Sequence, residues 1–297
     1  IKEEWAFNPD QFRSNYQLFF MLLNAASNTV SLLSLMGVSY LLFRRRSTIL
    51  LCSILSCTCL PLLLSAPFVY GNSIGFGLYS LAIFLTVYAF QQDKQMNRRI
   101  VASICSIPIM MLGLVVKSTF FLLLLAILLA YVFYAIRTRN FSLVLFSVII
   151  AFLINQAPQL STSYLEKVTG SEFGEGMPKT SWIAMGLRRD NATGIAGWWG
   201  FYPTNLYLEV NGDITEQTNL SIASIMSSIE GFISSPKDGI SFFTEKLSAE
   251  WLDPLYQSLY YSILADGTGS VKVLYTGYSA NRILIEAADA YQLLILA

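Results

Sequence analysis

A lysine between two apolar runs is the most informative single residue in the apolar part of this chain. Lys117 stands in VVKSTFF, with the hydroxyls of Ser118 and Thr119 beside it. One interpretation is that the lysine extends its ammonium group to the lipid head groups. The other is that it binds the phosphate of a lipid-linked substrate. Hydroxyl donors at a helix N-terminus would add to such an anion site.

A dense aromatic cluster follows later, within PKTSWIAMGLRRDNATGIAGWWGFYPTNLY. Aromatic rings stack on the C–H face of a pyranose while nearby polar groups fix its hydroxyls. An aromatic belt at a membrane interface has the same composition. Arg188 and Arg189 lie beside the cluster, either as a solvated charge run or as cations for a donor phosphate. The residues predicted to bind sugar or acceptor here are Trp182, Trp198, Trp199 and Tyr202.

Two smaller groups contain carboxylates. Trp251, Asp253 and Gln257 form a polar and aromatic helix end, which suits either sugar or acceptor binding or ordinary packing against neighbours. Glu4 and Asp10 precede the first apolar run, where a carboxylate could act as general base on an acceptor hydroxyl. Acids in an interfacial segment need no functional explanation, so both interpretations stay open.

Composition predicts a membrane scaffold for these groups. Of 297 residues, 54% are hydrophobic and 13% are charged, about half the charged fraction of a soluble domain. The chain has no His, which excludes His-based acid/base catalysis, a Ser-His-Asp triad and His metal ligands. Residues 155–285 contain thirteen acids and eight bases, so a nucleic-acid surface is not expected.

Apolar runs and charged loops alternate regularly. FRRR, QQDKQMNRR and IRTRN carry arginines, whereas the loops between them, PFVYGNS and VVKS, carry at most Lys117. The positive-inside rule therefore places the arginine loops in the cytoplasm, and the N-terminal segment, Lys117 and everything after residue 154 outside. The six runs are approximately 17–43, 49–67, 74–90, 100–116, 119–136 and 141–154.

The predicted fold is an all-α polytopic membrane protein of the cell membrane, with a mainly helical, loop-rich extracytoplasmic segment. We expect a multi-span region over 1–154, an extracytoplasmic domain over 155–285 and a further span starting over 286–297. Helical periodicity predicts one helix over about 219–233 and a second beginning at Ser235-Pro236, with ordered loops elsewhere in the domain. Asp213 and Glu216 are either solvated or bind a divalent cation, and Asn24 and Asn28 either line a groove or bond across helices.

Several stretches together resemble the GT-C multispan glycosyltransferases, in particular Gram-positive bacterial members related to protein O-mannosyltransferases and aminoarabinose transferases. The stretches are FNPDQFRSNYQLFFMLLN, PFVYGNSIGFGLYSLAIF, VVKSTFFLLLLAI, PKTSWIAMGL, GWWGFYPTN and FFTEKLSAEWLDPLYQS.

The resemblance implies a GT-C-like fold and inverting sugar transfer from a polyprenyl-phosphate donor at the outer membrane face. The acceptor would be a cell-envelope glycan or glycolipid, activated by an acid of the first outer loop, either Asp10, Glu4 or a residue before Ile1. Lys117 matches the position of the cations that hold the donor phosphate. The sequence requires no cofactor and leaves a metal requirement open.

Two other classes remain open. A polysaccharide polymerase or ligase would use a lipid-diphosphate oligosaccharide, with Arg188 and Arg189 on its diphosphate. A non-enzyme would be a transporter, a flippase or an assembly partner, and a transporter is expected to show internal repeats or matching broken spans.

Overall fold

The computed structural model describes residues 9–43, 45–67, 71–91, 95–174, 176–191, 193–198, 200–252, 254–255 and 279–296. Within these ranges the chain is helical and contains no strand, in agreement with the predicted all-α class. It divides into two compact units. The first unit comprises Ile1–Leu165 and Gln257–Ala297, and the second comprises Glu166–Tyr256.

The first unit contains most of the apolar helices. They are α1 (Pro9–Phe43), α2 (Arg46–Cys57), α3 (Leu60–Leu64), α4 (Asn72–Phe90), α5 (Met96–Val116), α6 (Phe121–Thr138), α7 (Ser142–Asn155) and α13 (Ser279–Leu296), with α8 (Ala157–Thr169) at the boundary and a 3₁₀ turn (Ser118–Phe120) before α6. In the described part of the chain, five helices are long and apolar enough to cross a membrane. These spans are Tyr16–Phe43, Asn72–Phe90, Met96–Val116, Ser118–Thr138 and Leu143–Thr169.

The second predicted run, 49–67, is not one helix. It is divided into α2 and the five-residue α3, with Thr58 and Cys59 between them. Pro61 explains the break, because a proline lacks the N–H that would bond to the carbonyl four residues earlier and its ring clashes with that carbonyl. The carbonyl in question belongs to Cys57, where α2 ends.

Asparagine side chains of α1 bond to backbone carbonyls in the last turn of α3 and just after it. Asn28 Nδ2 donates to the Leu62 carbonyl at 2.8 Å, and Asn24 Nδ2 donates to the Ala66 carbonyl at 3.1 Å. Unpaired backbone groups are costly in a lipid environment. Of the two interpretations of these asparagines, the structure therefore supports hydrogen bonding across helices.

Small residues let α1 and α4 pack closely in a parallel orientation. A Cβ added at Gly77 would lie 2.6 Å from the Ser27 carbonyl oxygen. One turn further along, the hydroxyls of Ser31 and Ser80 are 2.9 Å apart. Close backbone approach through small residues is typical of helix contacts in membranes.

The core of the first unit lies between α4, α5, α6 and α7. Tyr79 is fully buried and donates its hydroxyl to the Met110 carbonyl at 3.2 Å. Its ring also stacks on Phe120, with centroids 5.4 Å apart. The largest buried side chains of this core are Tyr79, Met110, Leu124, Tyr131, Ile150 and Ile154.

The second unit contains both predicted helices, α11 (Ile214–Ser234) and α12 (Pro236–Trp251). They pack on each other through Phe232, whose ring centroid lies 5.1 Å from that of Phe242 and 5.3 Å from that of Phe243. The helix α11 begins five residues earlier than the periodicity predicts, because Asp213 Oδ1 accepts the N–H groups of Thr215 and Glu216.

The prediction of loops elsewhere over 155–285 is wrong for α8, which continues the last apolar run to Thr169, and for two shorter helices. Two short helices, α9 (Lys179–Gly186) and α10 (Tyr202–Glu209), flank the glycine-rich stretch. Each begins near a proline, and Pro203 lies in the first turn of α10, where a missing N–H has no cost. A helix of eight residues is too short for hydrophobic periodicity to predict it.

Candidate functional site

A cavity in the second unit brings together four of the predicted site residues. It has a volume of 350 Å³, near the lower end of the range of small-ligand pockets, about 300–1,000 Å³. The predicted residues in its lining are Arg188, Arg189, Trp198 and Tyr202. The other lining residues are Met185, Asp190, Asn191, Gly200, Phe201, Asn205, Leu206 and Glu209.

A tight turn after α9 places Arg188 and Trp198 at the same edge of this cavity. The Gly197 N–H donates to the Arg188 carbonyl at 2.8 Å, which closes the base of the turn. Gly197 has a φ of 61°, and a Cβ there would lie 2.6 Å from the Lys246 side chain. Only glycine fits this conformation in this space, so the turn that precedes Trp198 depends on it.

Asp190 holds the tip of the same turn. Its Oδ2 accepts the Thr193 N–H at 2.7 Å and the Thr193 hydroxyl at 2.8 Å. The Gly194 N–H donates to the Asp190 carbonyl at 2.8 Å. The carboxylate of Asp190 therefore shapes the loop, in addition to lining the cavity.

Tyr202 enters the cavity from the first turn of α10. Gln217, fully buried on α11, donates Nε2 to the Pro203 carbonyl at 2.9 Å and so anchors the start of α10. The Arg188 guanidinium lies 4.6 Å from the centre of the Tyr202 ring, over its face. This cation–π contact orients both side chains without using the N–H groups of the guanidinium.

Arg189 has a different environment from Arg188. Its Nη1 donates to Glu245 Oε1 at 2.7 Å and to the Gly194 carbonyl at 3.0 Å. Glu245 Oε1 also accepts the Ala196 N–H at 3.2 Å. The hydrogen bond from Arg189, followed by the bond from the Ala196 N–H, lowers the pKa of Glu245 below its ordinary value. Arg189 is therefore held by a carboxylate, which leaves Arg188 as the better cation for a ligand.

Two predicted aromatic residues lie elsewhere on this unit. Trp182 is on α9 and 44% exposed, and Trp251 ends α12 and is 54% exposed. Neither lines the cavity. Trp199, Asp253 and Gln257 lie outside the described residues.

Asn205 and Glu209 are cavity residues that the sequence analysis missed. They lie three and seven positions after Tyr202, on the same face of α10. This spacing would have pointed to them if α10 had been predicted as a helix.

No protein-family model, curated protein or solved structure matches this chain.

The predicted phosphate ligand of the first unit, Lys117, lies at one end of the helical bundle. It follows the last residue of α5 and donates its Nζ to Asn72 Oδ1, at the start of α4. Gly71 lies against Val116, whose Cγ1 would be 2.9 Å from an added Cβ. The two loops that the charge pattern assigns to one side thus meet at one end of the bundle.

Hydroxyl side chains adjoin Lys117 and Asn72 in the sequence. Ser118 and Thr119 are exposed in the 3₁₀ turn. The hydroxyl of Ser65, the residue after α3, lies 2.9 Å from that of Ser73 on α4. An ammonium group among hydroxyl donors suits a phosphate ester.

The candidate general bases are not part of the described site. Glu4 lies outside the described residues, and Asp10 lies in the first turn of α1, with its side chain outside the described part. The metal interpretation of Asp213 finds no support, because its carboxylate caps α11. Among the described residues, no group of three His, Cys, Asp or Glu could hold a metal ion.

Proposed function

We propose that this chain belongs to a membrane glycosyltransferase of GT-C-like architecture. It moves a sugar from a polyprenyl-phosphate donor to a cell-envelope polymer or glycolipid at the outer membrane face. The observation that carries the proposal is the cavity of the second unit, where Trp198 and Tyr202 offer aromatic faces beside the guanidinium of Arg188. Aromatic faces with a few convergent polar groups are what a sugar ring needs for stacking and for fixing its hydroxyls.

The donor phosphate is assigned to Lys117. The acceptor oxygen attacks the anomeric carbon, and the bond from that carbon to the phosphate oxygen breaks with inversion. The phosphate leaves with the electron pair, stabilised by the ammonium of Lys117, and the acceptor proton passes to a carboxylate base. Asp10 and Glu4 remain the candidates for this base.

The donor half of the proposal is tested by mass spectrometry of the lipids that co-purify with the chain. We expect polyprenyl phosphate or its monoglycoside with the wild type, and its loss from Lys117→Ala. Lys167→Ala is the matched control, because Lys167 lies in the last turn of α8 at the end of another candidate span. Retention of the donor lipid by Lys117→Ala would remove Lys117 from the site.

The sugar half is tested by titration with the sugar that the lipid analysis identifies. Tyr202→Ala and Trp198→Ala should each weaken binding by about tenfold, the order of effect that one stacked aromatic ring contributes, about 0.5–1.5 kcal/mol beyond the area that it buries. Trp251→Ala is the control, because Trp251 is an exposed tryptophan of the same unit outside the cavity. Equal losses in all three variants would contradict a sugar site in this cavity.

The polymerase or ligase alternative predicts a different co-purifying lipid, a polyprenyl diphosphate oligosaccharide. Its additional negative charge calls for more cations. The pairing of Arg189 with Glu245 leaves fewer cations at this cavity than the sequence suggests, which favours the monophosphate donor.

A further inference from the structure

A larger cavity lies in the first unit, at the end of the bundle opposite Lys117, where α4 and α6 end and α5 begins. It has a volume of 710 Å³. Its lining includes Arg99, Ser103, Tyr131, Tyr134, Ile100 and Ile104. The proposed glycosyltransferase reaction assigns no role to any of these residues.

The polar side of this cavity is built around Arg99. Its Nε donates to the Ala89 carbonyl at 2.7 Å, and its Nη2 donates to the Tyr134 hydroxyl at 3.1 Å. The Tyr134 hydroxyl in turn donates to the Phe90 carbonyl at 3.1 Å. These bonds fix the plane of the guanidinium and use only part of its set of five N–H donors. A fixed guanidinium with remaining donors is pre-organised for a phosphate.

The apolar side of the cavity is a stripe on α5. Met96, Ile100 and Ile104 follow each other at four-residue intervals and are 63%, 48% and 55% exposed. Four residues rise about 6 Å along a helix. The stripe therefore leads from the level of Arg99, at the end of the span, toward the middle of the bilayer.

The charged residue that lines this cavity is a cation, Arg99, and no acid is among the described residues of its lining. Arg137 lines an adjacent cavity that shares Phe90, Tyr134 and Thr138 with this one. A phosphate bonded to Arg99 would therefore lie near a second guanidinium.

We propose that this cavity binds an anionic phospholipid of the surrounding bilayer. The phosphate accepts hydrogen bonds from Arg99, and one acyl chain lies along Ile100 and Ile104. The apolar stripe favours a lipid over a soluble anion, because only a lipid covers these side chains. The positive charge favours an anionic over a zwitterionic head group, whose ammonium the arginines would repel.

Native mass spectrometry of the full chain in detergent tests this site, with phosphatidylglycerol and phosphatidylcholine of identical acyl chains as the probes. The wild type should bind phosphatidylglycerol about tenfold more tightly, because the guanidinium groups repel the choline ammonium whereas the phosphate is the same in both lipids. Arg99→Gln should abolish that preference. Ile104→Trp should weaken both lipids, because it fills the cavity without removing a hydrogen bond of Arg99.

Arg98→Gln is the matched control. Arg98 is the neighbouring arginine at the same end of α5, but it lines a different cavity with Tyr88 and Val101. We expect the wild-type preference in this variant. The proposal would be overturned if Arg98→Gln and Arg99→Gln had equal effects. It would also be overturned if Arg99→Gln kept the lipid preference while Ile104→Trp kept both lipid affinities.

The outcome is independent of the proposed glycosyltransferase activity. Lys117→Ala should lose the polyprenyl donor and keep the phosphatidylglycerol preference, whereas Arg99→Gln should do the reverse. If Arg99→Gln fails to fold, Ile104→Trp alone tests the site. Because the tryptophan fills the cavity, unchanged affinity of this variant for both lipids would exclude lipid binding there.

Discussion

Each of the two cavities pairs an arginine with a tyrosine, but the pairs use different parts of the tyrosine. In the first unit, Arg99 bonds in its own plane to the hydroxyl of Tyr134. In the second unit, Arg188 lies over the ring face of Tyr202, 4.6 Å from its centre. The first arrangement fixes the guanidinium through its N–H groups, and the second fixes it through its face.

The difference follows from what surrounds each pair. Arg99 lies beside the end of α4, where backbone carbonyls have no partner within the helix, and it bonds to one of them, the Ala89 carbonyl. Arg188 lies in a turn whose backbone groups already bond to each other. Arg99 is therefore part of the scaffold and binds a ligand with the donors that remain, whereas Arg188 lines its cavity with the guanidinium held over the face of Tyr202.

Replacing each arginine with alanine should separate the two roles most clearly. Arg99→Ala should lower the free energy of unfolding by about 2 kcal/mol, because it leaves the Ala89 carbonyl and the Tyr134 hydroxyl short of a partner. Arg188→Ala should lower it by less than about 0.5 kcal/mol, as for surface substitutions in general. Thermal and denaturant unfolding in detergent, followed by circular dichroism, measures both.

Ligand binding should show the opposite order for the proposed sugar site. Arg188→Ala should weaken sugar binding by about tenfold through the loss of charge-assisted hydrogen bonds, and Arg99→Ala should leave it unchanged. Equal destabilisation by both variants would mean that Arg188 is also a scaffold residue, which would contradict the difference between the two arginines.

Removing only the hydroxyl of each tyrosine should again destabilise the fold more at Tyr134 than at Tyr202, by less than the arginine substitutions do. Tyr134→Phe should cost about 1 kcal/mol of unfolding free energy, since the hydroxyl accepts from Arg99 and donates to Phe90. Tyr202→Phe should be close to neutral for stability, because the ring that faces Arg188 remains. If Tyr202→Phe lowered the unfolding free energy as much as Tyr134→Phe, the contact of Tyr202 with Arg188 would depend on its hydroxyl and not on its ring.

The sequence predicts the helices of the first unit well, because long apolar runs leave little choice of structure. One departure is 141–154, where the span continues to Thr169. The other is 49–67, where Pro61 breaks the run and Asn24 and Asn28 supply hydrogen bonds from another helix. The proline is visible in the sequence, but its partners on α1 are distant in sequence and only packing reveals them. The side of the membrane that each loop faces stays a prediction from charge alone.

The site of the second unit is predictable only in part. Its arginines and aromatic residues stand out by composition, which is why Arg188, Trp198 and Tyr202 appear among the predicted residues. Composition does not separate them from Trp182 and Trp251, which lie outside the cavity. That separation depends on the turn closed by Gly197 and on α10, both too short to leave a periodic pattern.

The smallest effect on stability is expected for the ion pair between Arg189 and Glu245. It tests how Arg189 differs from Arg188 within the second unit. Arg189 resembles Arg99 in being bonded through its N–H groups, but its partner is a partly exposed carboxylate. Because the folded state lowers the pKa of Glu245, this carboxylate stabilises the fold at pH values above its ordinary pKa of 4.5. The stabilisation is lost as the pH falls through the lower, folded value.

Tryptophan fluorescence suits this measurement, because four of the five tryptophans lie in the second unit. As the pH falls below 4.5, the thermal midpoint of the wild type should fall more steeply than that of Glu245→Gln, which has no carboxylate to protonate. Glu230→Gln, with its substitution at an exposed position of α11, should retain the wild-type slope. If Glu245→Gln also retained that slope, the ion pair would contribute nothing to holding Arg189, and both arginines would be available to a ligand in this cavity.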